Sequence, residues 1–120
     1  MSAVKCFEDL DIWKDGLNLS LQVYKEHKDC RDFSFRDQLQ RSAISIPSNI
    51  AEGFERQTNK EFIQYLFIAK GSCGELRTQL IIALKLNIIK EEIASILIQE
   101  TKKISAKIYK LIEYRKSYKT

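Results

Sequence analysis

Apolar residues recur every three or four positions along almost the whole chain, in four stretches separated by short polar segments. This is the period of an α-helix with one buried face. The 120 residues include only 4 Gly and 1 Pro, which leaves few tight turns. The pattern predicts an all-α single domain over residues 1–120, with helices at about 9–28, 34–55, 59–86 and 90–116. Short links would place four such helices antiparallel, as an up-down four-helix bundle.

Capping signals mark the beginnings of three predicted helices. Asp9 is the predicted N-cap of the first helix, and the second is predicted to open at Ser34, with Asp37 three residues later. The third helix begins with the T-x-x-E capping box formed by Thr58 and Glu61, which is the firmest boundary in the chain.

The second predicted helix contains Pro47. An interior proline removes one backbone hydrogen bond and clashes with the preceding turn, at about 3 kcal/mol, so we expect a kink or a break there. A rival interpretation makes residues 43–46 a short strand, since the residue before a proline favours extended geometry. Helical spacing continues on both sides of Pro47, which favours the helix. Gly53 suits its end.

The third predicted helix is apolar on most sides, so it needs several neighbours. Gly71 and Gly74 lie in its middle, where each glycine costs about 1 kcal/mol relative to alanine. Glycines at such positions indicate that another helix backbone approaches closely. Association between copies of the chain would supply the missing neighbours.

Polar residues form a row beside the apolar face of the second helix, and the third helix carries a matching set. These residues either face water or form a hydrogen-bonded seam, between the two helices or between subunits. Spacing leaves both interpretations open. A buried seam would fix which helices pack together while adding little stability. The candidate seam residues are Arg41, Asn49, Glu52, Ser72 and Glu75.

Positive charge is concentrated near the C-terminus. Residues 1–100 carry 13 Lys and Arg against 15 Asp and Glu, whereas residues 101–120 carry 7 against 1. This asymmetry indicates either a polyanionic partner or a solvated lysine face. The tyrosines Tyr109, Tyr114 and Tyr118 are interleaved with the lysines and either stack on bases or pack at the bundle edge. The candidate phosphate contacts are Lys102, Lys103, Lys107, Lys110, Arg115, Lys116 and Lys119.

The sequence presents no catalytic or metal-binding set. His27 is the only histidine, so a di-iron site with two Glu-x-x-His motifs is excluded, and we expect His27 to be exposed at a helix end. The three cysteines are predicted to be ordinary thiols of a reducing compartment. No membrane span or signal-peptide core is visible. We therefore expect a cytoplasmic protein with no catalytic residues, no cofactor, no metal and no membrane partner.

Several short motifs resemble one protein family. They are F-E-D-L from Phe7, Q-L-Q-R-S-A from Gln38, S-I-P-S-N-I-A-E-G from Ser45 and A-K-G-S from Ala69. Together they resemble the 23S rRNA-intervening-sequence proteins, over about residues 5–112. The resemblance implies a small bacterial protein, an antiparallel four-helix bundle and a homopentamer without enzymatic activity. A related branch serves diversity-generating retroelements and contacts nucleic acid and a reverse transcriptase.

One departure from the family pattern concerns charge, because Gln40 stands where the family usually has the first of two arginines. Two functions remain in competition. The first is a non-catalytic homo-oligomer, with a pentamer favoured, that binds structured RNA or DNA through basic surface repeated by symmetry. The alternative is a protein-interaction scaffold or an accessory subunit for a partner such as a reverse transcriptase, with lysines that serve solubility only.

Overall fold

A computed structural model describes residues 4–118, which form four long helices preceded by one short 3₁₀ turn. The turn spans Phe7–Asp9, and the helices are α1 (Asp11–His27), α2 (Phe33–Phe54), α3 (Asn59–Lys85) and α4 (Glu91–Lys116). None of these described residues is in a strand. The all-α class and the four helices are confirmed, and the strand alternative at residues 43–46 is wrong.

Helices that are consecutive in the chain pack against each other, and α4 returns to contact α1. These contacts are antiparallel, as Asn59 at the start of α3 against Arg115 near the end of α4, and Asp15 of α1 against Lys107 of α4, illustrate. The bundle is elongated, with extents of 48 × 22 × 19 Å. All four helices contribute buried side chains to one apolar core.

The helix caps agree with the sequence at α3 and differ at α1 and α2. Thr58 Oγ1 accepts a hydrogen bond from the Glu61 backbone N–H at 3.1 Å, so the predicted capping box is confirmed. Asp32, not Ser34, caps α2 and accepts from the Phe35 N–H at 3.1 Å. Asp9 is not the N-cap of α1, because it is the last residue of the 3₁₀ turn. The N-cap of α1 is the next residue, Leu10.

The end of α3 sets the position of α4. Asn87 adopts a positive φ of 58°, a conformation that asparagine tolerates better than most residues. The Ile88 N–H then reaches back to the Ala83 carbonyl at 2.9 Å, which closes the helix with a Schellman-type cap. The chain can therefore reverse within a few residues, and α4 begins beside α3.

Two small or rigid residues of α2 allow close helix contacts. The helix runs through Pro47 without a break, and Pro47 is buried beside Gly16 of α1. Gly53 lies at the end of α2, one residue before its last residue, Phe54. A Cβ at Gly53 would stand 2.5 Å from Tyr65 Cβ of α3, so this glycine is needed for the close approach of two helices.

Candidate nucleic-acid interface

The predicted basic residues fall on different sides of α4. Lys107 faces α1, and Lys103 and Lys110 lie one turn before and after it along the same stripe. Lys102 lies on the opposite side, in a groove against α3. Arg115 and Lys116 lie near the end of the bundle. Lys119 lies outside the described residues. The cluster predicted from the sequence is therefore three separate surfaces.

Acidic residues compensate the lysines on the α1 side of α4. Lys107 Nζ donates to Asp15 Oδ2 at 2.8 Å. That hydrogen bond raises the pKa of Lys107, although partial desolvation opposes it, and the negative charges of Asp15, Asp11 and Glu100 raise it further. Asp11 also lies beside Lys110 in a shallow depression. An incoming phosphate would have to compete with carboxylates on this side.

The other side of α4 forms a groove with α3 that is basic and contains no acidic residue. We call it the α3–α4 groove; it has a volume of about 390 Å³. Within residues 4–118, neither Lys70, Arg77 nor Lys102 forms an ion pair. The lining residues are Lys70, Arg77, Lys102, Ser105, Ala106 and Tyr109. Their positive charge is available to an external anion.

Arg77 lies in this groove with an unsatisfied donor. Its Nε is buried and has no hydrogen-bond partner among the residues that the structure describes. The nearby Cys73 thiol does not compensate this charge, since burial raises the pKa of Cys73 to about 12 despite the opposing influence of Arg77 and Lys70. At neutral pH the thiol is uncharged, so both cations remain unbalanced.

Lys70 and Arg77 were missed by the sequence reasoning. They lie on α3, where apolar residues occupy most sides of the helix and the few cations do not form an obvious cluster in the sequence. The available signal was their spacing of seven residues, which puts two side chains on one face of a helix. Combined with the antiparallel packing of α3 and α4, this spacing would have placed both opposite Lys102.

Arg115 and Lys116 have partners inside the chain. Arg115 Nε donates to Asn59 Oδ1 at 2.7 Å, and its guanidinium lies 4.5 Å from the ring centre of Tyr118. Lys116 Nζ lies 3.4 Å from Glu113 Oε2. The bond to Asn59 connects the end of α4 to the start of α3, and Lys116 Nζ also lies 5.4 Å from the ring centre of Phe67 in α3. Both cations thus contribute to the closure of the bundle end.

Four of the five candidate seam residues belong to hydrogen-bonded groups that link α2 and α3. Asn49 Nδ2 donates to Ser45 Oγ at 2.9 Å, and the Ser45 and Ser72 hydroxyls are 2.8 Å apart. Ser72 donates to the Ile68 carbonyl at 3.2 Å, so Ser45 is the donor to Ser72. Separately, Ser42 Oγ donates to Glu75 Oε1 at 3.0 Å. We call these bonds the α2–α3 seam.

Glu52 forms a further link between α2 and α3, and only Arg41 lies elsewhere. Glu52 accepts from Tyr65 Oη and Arg56 Nη2, each at 3.3 Å, on the exposed edge of α2. Arg41 is exposed in an open depression between α1 and α2 that Tyr24 also lines. Among residues 4–118, Arg41 forms no ion pair with a seam carboxylate.

His27 is buried, at 2% exposure, which corrects the expectation of an exposed residue. Its Nδ1–H donates to the Val23 carbonyl at 2.8 Å, so it satisfies a carbonyl in the last turn of α1. All three cysteines are free thiols. Within residues 4–118, no group of His, Cys, Asp and Glu side chains is placed to hold a metal, and no helix could cross a bilayer.

The middle of the outer face of α3 has no neighbouring helix within residues 4–118. It carries Gly71 and Gly74, and no atom lies within 4 Å of a Cβ built on either glycine. The large apolar side chains around them, Phe67, Ile68, Ile81 and Ile82, are exposed. The close helix approach expected at Gly71 and Gly74 therefore does not occur among the residues that the structure describes.

Comparisons with known proteins agree with this fold. The sequence model of the family described as 23S rRNA-intervening sequence protein matches residues 8–110. No curated protein matches the chain. Among solved structures, the chain is similar to a protein of unknown function from the S23 ribosomal protein family of Bacteroides thetaiotaomicron. The two share 23% sequence identity and a TM-score of 0.79, over 84% of this chain and 97% of that one. Because the family match spans most of its length, the chain belongs to the 23S rRNA-intervening sequence protein family.

Proposed function

We propose that this chain is a non-catalytic subunit of a homo-oligomer, with a pentamer expected, that binds structured RNA through basic surface repeated by the symmetry. The observation that carries this proposal is the α3–α4 groove, where Lys70, Arg77 and Lys102 lie together without a carboxylate. A cation without an internal partner can pair with a phosphate and displace the counterions bound there, which favours binding to a nucleic acid.

Repetition by symmetry strengthens such binding. One copy offers three unbalanced cations in the groove, which alone would bind RNA weakly. Every copy in a closed ring presents the same groove, and the affinity for phosphates rises steeply as the number of contacts grows. The formal charge of +4 per chain also accumulates with each subunit, which attracts polyanions over a longer range.

The outer face of α3 supports the homo-oligomer. Exposed Phe67, Ile68, Ile81 and Ile82 surround two glycines on a helix whose other sides are packed. Exposed apolar side chains on both sides of a bare stretch of helix backbone favour contact with another helix. The bare backbone at Gly71 and Gly74 would let a helix of another copy approach closely, which accounts for glycines that otherwise weaken α3.

The RNA-binding test compares two neighbouring lysines. Lys102→Ala should weaken binding of a fluorescent RNA hairpin and lower the slope of log K against log salt by about 1. Lys103→Ala removes the same charge from the next residue, on another stripe of α4, and should have a smaller effect. Fluorescence anisotropy over a salt series measures both. Absence of binding by the wild-type protein at low salt contradicts RNA binding.

The assembly test uses the outer face of α3. Gly71→Leu should fold, because the position is open within one chain, yet should reduce the sedimentation coefficient by blocking the approach of a second copy. Lys25→Leu introduces the same side chain at an exposed position of α1 and serves as the control. A wild-type protein that sediments as a single chain of 14.0 kDa at micromolar concentration contradicts the homo-oligomer.

The alternative function is a protein-interaction scaffold, or an accessory subunit of a protein such as a reverse transcriptase. Its support is a second exposed apolar stripe, Leu17, Leu21 and Tyr24 of α1 beside Ile44 of α2. Capture of partners with and without nuclease separates the two functions. A partner retained after nuclease treatment and lost on Leu21→Asp favours the scaffold.

A further inference from the structure

We propose that the α3–α4 groove receives an unpaired nucleotide of the RNA, with its base stacked on Tyr109 and its phosphate held by Arg77 and Lys102. This inference rests on the proposed RNA binding and adds which part of an RNA is bound. The sequence left open whether the tyrosines of α4 stack on bases or pack at the bundle edge, and the structure distinguishes them.

Tyr109 differs from the other tyrosines of α4 in its surroundings. Tyr114 and Tyr118 contact each other, with ring centres 5.2 Å apart, so each ring already has an aromatic partner. Tyr109 is 51% exposed, and its nearest cation, Lys70 Nζ, stands 6.0 Å from the ring centre. That distance is the outer limit of a cation–π contact, so the ring remains available for stacking.

The rest of the groove leaves room for a base and supplies donors for a phosphate. Ala106 precedes Tyr109 by one turn and presents only a methyl group to the groove. Beyond it lie Lys102 and Arg77, whose buried Nε has no hydrogen-bond partner within residues 4–118. The planar guanidinium fork matches the geometry of phosphate oxygens, and a bound phosphate would satisfy this donor.

An aromatic ring and cations in the same groove favour an unpaired nucleotide over a duplex. Bases inside a duplex are stacked on one another and cannot offer a free face to a tyrosine. A duplex backbone could accept a hydrogen bond from the Tyr109 hydroxyl, but it offers no free base face to the Tyr109 ring. A nucleotide in a loop, bulge or overhang can place its base on the ring while its phosphate reaches the floor of the groove.

The test uses two RNAs, a fully paired duplex and the same duplex with an unpaired oligouridine overhang. Tyr109→Ala should weaken binding of the overhang RNA roughly tenfold, as expected for loss of one stacked base, and should leave duplex binding unchanged. The salt slope should not change, because no charge is removed. Tyr109→Phe keeps the ring and should retain wild-type affinity. Tyr114→Ala removes a tyrosine of the same helix at 52% exposure and is the matched control.

Thiouridine in the overhang provides a second measurement that does not depend on a variant. Photocrosslinking followed by mass spectrometry should place the adduct on the peptide that contains Tyr109. The inference is overturned if Tyr109→Ala and Tyr114→Ala behave alike, or if Tyr109→Ala weakens duplex and overhang RNA equally. In both cases the proposed RNA binding stands. If the wild-type protein binds neither RNA at low salt, the proposed function and this inference both fail.

Discussion

The two flanks of α3 use their polar residues in different ways. On the α2 side, Ser45, Ser72 and Asn49 satisfy one another, and Ser42 donates to Glu75. On the α4 side, the polar groups are cations, and the buried Nε of Arg77 has no partner among the described residues. Polar groups that are paired across two helices fix the packing of those helices. Polar groups left without partners are available to a ligand.

This difference predicts opposite responses to mutation. Changes on the α2 flank should affect stability and leave RNA binding intact. Changes on the α4 flank should affect RNA binding and leave stability intact. Each experiment below tests one side of this contrast.

Gly53→Ala should have the largest effect on stability. The added Cβ would stand 2.5 Å from Tyr65 Cβ, so α2 and α3 would have to separate. Overpacking of this kind costs about 1–3 kcal/mol in the free energy of unfolding, measured by urea denaturation. Gly16→Ala is the matched control, since its Cβ would meet Ile46 and Pro47 at 3.2 Å and 3.3 Å and should cost less. Equal costs for the two variants would contradict the close contact at Gly53.

The buried Cys73 should make stability depend on pH in the alkaline range. The ordinary pKa of the thiol, 9.0, rises to about 12 in the folded protein, because burial disfavours the thiolate. Above pH 9 the unfolded chain loses this proton and the folded chain keeps it. The free energy of unfolding should therefore fall by up to about 1.4 kcal/mol per pH unit.

Cys73→Ala should reduce this dependence on pH, whatever its effect on stability at neutral pH. Urea denaturation of both proteins between neutral pH and pH 11 measures the difference in slope. Parallel curves would show that Cys73 ionises as readily in the folded chain as in the unfolded chain.

Glu75→Ala should remove the acceptor of the Ser42 hydroxyl, whose side chain is only 3% exposed. We expect a loss of about 1 kcal/mol and a lower melting temperature. The double variant with Ser42→Ala should cost less than the sum of the single variants, because both remove the same hydrogen bond. An unchanged melting temperature would exclude a role for Glu75 in the seam. A lower assembly mass would place Glu75 at a subunit interface as well.

Arg77→Met should have the smallest effect on stability, within about 0.5 kcal/mol of wild type. Methionine keeps a long unbranched side chain and removes a buried donor that has no internal partner. Thermal denaturation measures this change, and the same preparation should bind RNA more weakly. A large loss of stability would show that Arg77 holds α3 and α4 together.

Much of the fold could be predicted from the sequence because apolar spacing and capping residues act locally. The four helices and the Thr58 cap follow from residues that lie within one or two turns of each other. The end of α2 was predicted to within one residue, but the reason for its glycine was harder to predict. Gly53 looked like a helix terminator, whereas it is required by Tyr65, a residue of the next helix that local spacing does not reveal.

The candidate site was predicted less completely, because it depends on which helices are neighbours. The C-terminal lysines are clustered in the sequence, but the helical period distributes them over separate sides of α4. One of them, Lys107, pairs with Asp15. The contribution of α3 to the groove, Lys70 and Arg77, appears only after α3 and α4 are packed together. The partners of the polar row, Ser42 and Ser45, required the same information.

The segment S-I-P-S-N-I-A-E-G, one of the motifs in which the chain resembles the family, makes most of its contacts inside one chain. Pro47 faces α1, whereas Ser45, Asn49 and Gly53 face α3. Proteins that share this segment should therefore share the helix bundle, even if they bind different ligands. If their ligands differ, the residues at positions 70, 77, 102 and 109 should differ as well, because these positions line the groove and are not part of the apolar core.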